Sequence, residues 1–134
     1  MPKRLPAEDP QDWLTRARFN LLIAREPHLV GGPLAELVFN AHQAAEKSIK
    51  AVILRLGRPF PYTHDIRALL ASAQEAGANV PENVQDAERL SAYAVAGRYP
   101  GGAPEVTKGE YEDALKLADG VVRWAEKLLG RTNK

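Results

Sequence analysis

The chain of 134 residues contains no cysteine. That absence excludes a disulfide framework, a cysteine-ligated zinc site and thiol catalysis, and it fits a reducing compartment. Apolar runs are short, as in Ala51-Val52-Ile53-Leu54, whereas a membrane-spanning helix needs about 20 apolar residues. The basic residues near the N-terminus are not followed by an apolar stretch, so a secretory signal is not expected. We therefore predict a cytoplasmic protein without a membrane segment.

The chain also lacks an excess of either charge, because 18 basic and 17 acidic residues leave a formal net charge of +1. A bulk electrostatic surface for nucleic acid is thereby excluded, and any RNA contact must come from a local patch. The common catalytic signatures are absent as well: the phosphate-binding loop, the H-E-x-x-H zinc motif, the Glu-x-x-His pairs of carboxylate metal bundles and the G-x-S-x-G elbow. We predict no metal and no cofactor, and any catalysis would have to use a sparse site.

Strand signals are lacking throughout, since no segment alternates with a period of two and no Asn-Gly or Asp-Gly hairpin turn occurs. Apolar residues instead recur at helical spacing. The sequence predicts an all-α fold, an up-down antiparallel bundle of four to five helices joined mostly by short loops. The length fits one domain over residues 1–134, with residues 1–8 as a loose leader.

Capping residues and breakers place the helix ends. Asp9 can cap the first helix with Pro10 at its first position, and Thr107 with Glu110 forms a capping box for the last. Gly57 suits a C-terminal cap. The predicted helices run from Pro10 to before Pro27, from about Pro33 to Leu56, from Thr63 to Gly77, from Pro81 to near Gly97, and from Thr107 to Gly130.

The second helix carries polar residues beside an apolar stripe. His42 lies on that stripe, where a hydrogen-bonded core or interface histidine is the simpler interpretation. Glu46, Lys47 and Lys50 are spaced like an exposed helical ladder, with Glu46 and Lys50 in the favourable i,i+4 order. The default for such a run is a solvated face, and the functional alternative is a polar groove that holds phosphate.

Two loops add further candidates. Arg58 and His64 flank a Pro-Phe-Pro turn, and together they could support metal-free RNA cleavage, with histidine exchanging a proton and arginine stabilising the phosphate. His64 could equally help to start the third helix. Arg98 and Tyr99, in a segment rich in glycine and proline, suit phosphate and base contacts, or they could clamp the loop.

Taken together, these residues resemble the HEPN domain family, which higher eukaryotes and prokaryotes share. The resemblance spans about residues 10–128. Each motif is weak alone, and their order and spacing make the match more specific. The matching pieces are Trp13 with Ala17, the block Gln43-Ala44-Ala45-Glu46-Lys47 with Lys50, the helix start Thr63-His64-Asp65-Ile66, and Arg98-Tyr99-Pro100 before the last helix.

The resemblance implies a short helical bundle that forms homodimers, in many cases encoded beside a small nucleotidyltransferase as a toxin–antitoxin pair. Active members are metal-independent ribonucleases with an Arg-x(4–6)-His motif near a late helix. Here Arg98 occupies the late position, but no histidine follows it. The chain departs from the ribonuclease pattern at that point.

Two functional hypotheses follow. In the first, a non-catalytic bundle binds a nucleotide, RNA or a nucleotidyltransferase partner, with His64 and Arg98 in one cleft near Lys47 or Lys50. In the second, the chain is a metal-independent endoribonuclease that uses Arg58 and His64, or Arg98. A plain structural adaptor is a third interpretation. The predicted ligand-binding residues are His42, Glu46, Lys47, Lys50, His64, Asp65, Arg98 and Tyr99.

Overall fold

The computed structural model describes residues 9–26, 34–95 and 106–130, and these residues form helices and no β-strand. The prediction of an all-α helical bundle is therefore confirmed. The helices are α1 (Pro10–Ala24), α2 (Leu34–Arg55), α3 (Ile66–Glu75), α4 (Glu82–Gln85), α5 (Arg89–Val95) and α6 (Lys108–Gly130), with a 3-10 turn at Asp86–Glu88 between α4 and α5.

Helix α2 is the centre of the bundle, and α1, α3, α5 and α6 all pack against it. It buries residues around most of its circumference, as expected for a helix enclosed by neighbours. Small side chains permit this close approach: Ala41, Ala44 and Ala51 are fully buried. A polar side chain on a buried face of α2 therefore destabilises the fold unless it has a hydrogen-bonding or charged partner.

Hydrogen bonds fix the two helix starts that the sequence marked. The Asp9 carboxylate accepts from the Gln11 backbone N–H at 3.0 Å, with Pro10 as the first helical residue. The Thr107 hydroxyl accepts from the Glu110 N–H, and the Glu110 carboxylate accepts from the Thr107 N–H, each at 3.0 Å. The capping box at α6 is thus confirmed.

Gly57 ends α2 in a left-handed conformation, with φ of +85°. The Gly57 N–H donates to the Leu54 carbonyl and the Arg58 N–H donates to the Ile53 carbonyl, which is the Schellman pattern. A side chain at position 57 would be strained at this φ. The turn leads the chain into the Pro59-Phe60-Pro61 segment, which lies beside the polar face of α2.

Several sequence expectations were wrong in detail. Asp65, rather than Thr63, is the N-cap of α3, because the helix begins at Ile66 and the Asp65 carboxylate accepts from the Arg67 N–H. Helical spacing predicts Leu56 and Leu128 on the apolar faces of the second and the last helix, but both are exposed, and Leu129 is buried in place of Leu128. The predicted fourth helix is interrupted by the 3-10 turn.

Residues 1–8, the segment from Pro27 to Pro33, and the segment that holds Arg98 and Tyr99 lie outside the described residues. The predictions that fall on them stay predictions. Within the described ranges, no helix combines the length and the apolar composition that a bilayer crossing requires.

Candidate functional site

Three polar residues line up along one face of α2. His42, Glu46 and Lys50 follow each other at intervals of four residues, which places their side chains on one side of the helix. All three are buried, with exposed fractions of 4%, 2% and 8%. The expectation of a solvated face was wrong for Glu46 and Lys50, because neighbouring helices and the loop after α2 cover that face. The buried position of His42 on the apolar stripe is as predicted.

The Glu46 carboxylate is the hub of this group. Lys50 Nζ lies 2.7 Å from Oε2, and His64 Nδ1 lies 3.1 Å and 3.0 Å from Oε1 and Oε2. The Gln43 amide donates to Oε1 at 3.4 Å. A buried carboxylate costs several kcal/mol unless partners compensate it. Lysine and histidine from two different chain segments provide that compensation here.

Two aromatic rings enclose the ammonium group of Lys50. Its Nζ lies 4.9 Å from the ring centroid of Phe60 and 5.5 Å from that of Trp13. The rings meet edge to face, with their centroids 5.3 Å apart and their planes at 84°. These distances are within the range of cation–π attraction. Lys50 therefore has a carboxylate on one side and aromatic rings on the others.

Sequence reasoning did not assign Trp13 or Phe60 to the site. Trp13 was named only as a piece of the family resemblance, and Phe60 only as part of a turn. A signal was available for Phe60, because an aromatic residue between two prolines directly after a helix end has a nearly fixed position. The partner on α1 could not be found from local spacing, since it depends on how α1 packs on α2.

His64 is the exposed member of the cluster. Its side chain is 82% exposed, although Nδ1 contacts the buried Glu46 carboxylate. With Nδ1–H donating to Glu46, the ring directs its other nitrogen, Nε2, away from that contact. A neutral ring offers Nε2 as an acceptor, and a protonated ring offers it as a donor. Glu46 thus fixes the orientation of the exposed ring.

The loop residues next to His64 make hydrogen bonds at the ends of α2 and α3. The Asp65 carboxylate caps α3, so it is already engaged. The Thr63 hydroxyl accepts from the Asp65 N–H at 3.1 Å, which shapes the turn that carries His64. Arg58 is exposed. Its backbone N–H closes the end of α2.

Lys47 joins a second polar network on the adjoining face of α2. Its Nζ donates to Asn20 Oδ1 at 2.9 Å, and the Asn20 side-chain amide donates to Asn40 Oδ1 at 3.0 Å. Partial burial lowers the pKa of Lys47, and the positive charge of Arg16 lowers it further, whereas Glu46 opposes the shift. Lys47 is thus half-buried and ordered rather than a freely solvated lysine.

His42 lies deepest in the cluster. Burial lowers the pKa of His42, and the nearby Glu46 carboxylate and a hydrogen bond with the His64 backbone offset part of that effect. Its Nδ1 is buried without a hydrogen-bond partner and lies 3.7 Å from Glu46 Oε1. A buried nitrogen without a partner is unusual.

The candidate site, called the α2 cluster below, comprises His42, Glu46, Lys47, Lys50, His64, Trp13 and Phe60. The structure brings together five of the eight predicted ligand-binding residues, and Asp65 lies next to them as a helix cap. Arg98 and Tyr99 are not described. In the described part of the chain, no set of three or more His, Cys, Asp or Glu side chains is arranged to hold a metal ion.

Comparison with known families matches the HEPN domain over residues 10–128, which is most of the chain. The chain belongs to the HEPN domain family. The sequence resemblance is thereby confirmed, and the chain is a helical domain of a nucleotide- and RNA-related family. Among curated proteins, no relative matches this HEPN chain.

A solved structure supports the same assignment. The HEPN chain is similar to TT1696 from Thermus thermophilus, known from a crystal structure, with 35% sequence identity and a TM-score of 0.77. The similarity covers 90% of this chain and 98% of that one. The two proteins therefore share the bundle over nearly their whole lengths.

Proposed function

We propose that this HEPN domain binds a nucleotide through the α2 cluster, without catalysing a reaction on it. The observation that carries the proposal is the exposed His64 ring held by the buried Glu46 carboxylate. A buried acid that orients an exposed imidazole is costly to build for stability alone. It is better explained as a device that presents His64 Nε2 to a ligand.

The charges around His64 favour a phosphate group. Lys47 and Lys50 are on the same helix as Glu46, and Arg58 is on the same loop as His64. Because Lys50 is buried against Glu46 and balances its charge, Lys47 and Arg58 are the cations that remain to attract a phosphate. A phosphate oxygen would accept from His64 Nε2–H in the protonated ring, and an arginine would add a charge-assisted hydrogen bond. Arg98 and Tyr99 stay predicted members of this site.

The proposal is tested by calorimetric titration with ATP, GTP and a short RNA, in buffer that contains EDTA. We expect saturable binding of at least one nucleotide and a loss of at least tenfold in affinity in the His64→Ala variant. Lys108→Ala is the matched control, because Lys108 is an exposed cation at the start of α6. Equal affinities in the wild type and in His64→Ala would reject the site.

The partner we propose is a small nucleotidyltransferase encoded beside this chain, in a pair of the toxin–antitoxin type. The support is family membership alone. Co-purification of a tagged chain with the product of the neighbouring reading frame tests it. A stable complex supports the pair, and two separately eluting proteins at micromolar concentration argue against it.

We also propose a homodimer, since exposed apolar surface commonly marks an interface. Phe19 and Leu22 lie three residues apart on α1 and are 63% and 56% exposed. Trp13 and Ile23, two further apolar residues of α1 that the sequence offers for such a face, are half-buried. Two-fold pairing would cover Phe19 and Leu22 at once.

A second candidate function is metal-independent RNA cleavage, and one observation favours it. A carboxylate that holds one histidine nitrogen and leaves the other free is the arrangement of a general base. Arg58 would then stabilise the phosphate. RNA cleavage in EDTA, compared between the wild type, His64→Ala and Arg58→Ala, separates the two functions. Robust cleavage that both variants lose would establish the nuclease.

A further inference from the structure

A second surface, which shares no residue with the α2 cluster, lies along the last turns of α6. It is a groove of about 390 Å³ between α6 and the segment from Asn79 to Val84. The α6 wall is a single helical stripe: Gly120, Arg123, Trp124, Lys127 and Leu128. Their spacing of three and four residues puts all five on the same side of the helix.

Gly120 keeps the groove open. A Cβ atom at this position would lie 3.3 Å from Asn83 Nδ2, so even an alanine would press on the opposite wall. Glycine in the middle of a helix is about 0.5 to 1 kcal/mol less favourable than alanine. Glycine at position 120 is thus less favourable for the helix than alanine, but a side chain there would narrow the groove.

A hydrogen bond joins the two walls and fixes their relative position. The Trp124 indole N–H donates to the Asn79 carbonyl at 3.0 Å, which ties the segment before α4 to α6. Trp124 itself is buried, so its ring is not available as a stacking platform. Leu128 is exposed and supplies apolar surface at the end of the groove. The groove is thus formed before a ligand arrives.

The groove has charge of one sign. Arg123 and Lys127 line it, and its lining includes no acidic residue. The Arg123 guanidinium contacts Asp119 at 2.7 Å, but its side chain is 75% exposed. Such an exposed i,i+4 pair contributes about 0.5 kcal/mol or less, so it does not prevent Arg123 from pairing with a ligand.

We propose that this groove docks an acidic helical segment of a partner protein. Arg123 and Lys127 are one turn apart, about 6 Å along the axis. Two glutamates four residues apart on a docked helix have the same spacing. An apolar side chain three residues after the first glutamate lies on the same face of that helix and would contact Leu128 and Pro81. A nucleotide fits less well, because the covered Trp124 ring leaves its base without an aromatic face to stack on.

The test uses a fluorescein-labelled helical peptide with two glutamates four residues apart and a leucine three residues after the first glutamate. Fluorescence anisotropy with the full chain measures its affinity. We expect binding that weakens at least tenfold in the Arg123→Ala/Lys127→Ala variant and with rising salt. We also expect about fivefold weaker binding in Leu128→Ser. The Lys108→Ala/Lys116→Ala variant removes the same charge elsewhere on α6 and should bind like the wild type.

Three outcomes overturn the proposal. The first is no anisotropy change up to millimolar protein, and the second is equal binding of a peptide with glutamine in place of glutamate. The third is a sedimentation result in which Arg123→Ala/Lys127→Ala dissociates a wild-type dimer, since the groove would then be an interface between two copies. Circular dichroism of each variant verifies that it is folded. Failure of this proposal leaves nucleotide binding at the α2 cluster untouched.

Discussion

Replacing Glu46 by glutamine removes the negative charge that the α2 cluster is built around, and it changes the side-chain volume very little. Lys50 would then keep a buried ammonium group with no carboxylate at 2.7 Å. Breaking a buried ion pair on one side costs about 3 to 5 kcal/mol. The Phe60 and Trp13 rings face the ammonium group in the wild type and in the variant alike, so the charge left behind is not wholly without a partner. We therefore expect a loss near the lower end of that range, about 3 kcal/mol in the free energy of unfolding.

Urea unfolding at pH 7, followed by circular dichroism at 222 nm, measures this loss. In a domain of this size, it corresponds to a decrease of about 10 °C in the melting temperature. Glu112→Gln is the matched control, since Glu112 is exposed on α6. Its effect should stay within about 0.5 kcal/mol.

The double variant Glu46→Gln/Lys50→Met tests the electrostatic reason directly. Because both charges are gone and methionine fits an aromatic surround, we expect it to be more stable than Glu46→Gln alone. A Glu46→Gln variant as stable as the wild type, or a double variant less stable than the single one, would refute the reasoning.

Three further predictions concern stability, pH and assembly. Burial lowers the pKa of His42 in the folded chain, so the neutral ring stabilises the fold above about pH 6.5. This contribution is lost as the pH falls towards the pKa of His42 in the folded state. The His42→Gln variant should therefore show a flatter dependence of unfolding free energy on pH between about pH 7 and pH 5, measured by urea unfolding. The hydrogen bond from Arg89 lowers the pKa of Asp113, and Tyr93 contributes as well. Asp113→Asn should therefore cost about 1 kcal/mol at pH 7, a difference that disappears as pH falls below about 4. Phe19→Ser/Leu22→Ser should convert a dimer to a monomer in light scattering at micromolar concentration, and a wild-type monomer would contradict the dimer.

The helical fold followed from the sequence because its signals are local. Apolar spacing, the Asp9 cap, the Thr107 capping box and Gly57 each act within one or two turns, and the structure confirms the two caps and the left-handed Gly57. The Asp65 cap was missed because Thr63 and Asp65 are both good capping residues, and only the exact start of α3 decides between them.

The candidate site could be predicted only in part from the sequence, because the burial of its residues depends on tertiary packing. His42, Glu46 and Lys50 were visible as neighbours on one helix face. Whether that face is solvated or covered depends on α1 and on the turn that carries Phe60. From local spacing, Glu46 and Lys50 have the pattern of an exposed ladder, but in the packed bundle both side chains are buried.

The most direct test of the account is whether a nucleotide reaches the His64 ring. The chain has three histidines, so the imidazole resonances in a proton–nitrogen NMR spectrum are few enough to assign with His64→Ala and His42→Gln variants. On titration with ATP in EDTA, we predict a saturable shift of the His64 ring signals, with a smaller shift for adenosine, which has no phosphate. Unchanged His64 signals at millimolar ATP would contradict nucleotide binding at the α2 cluster.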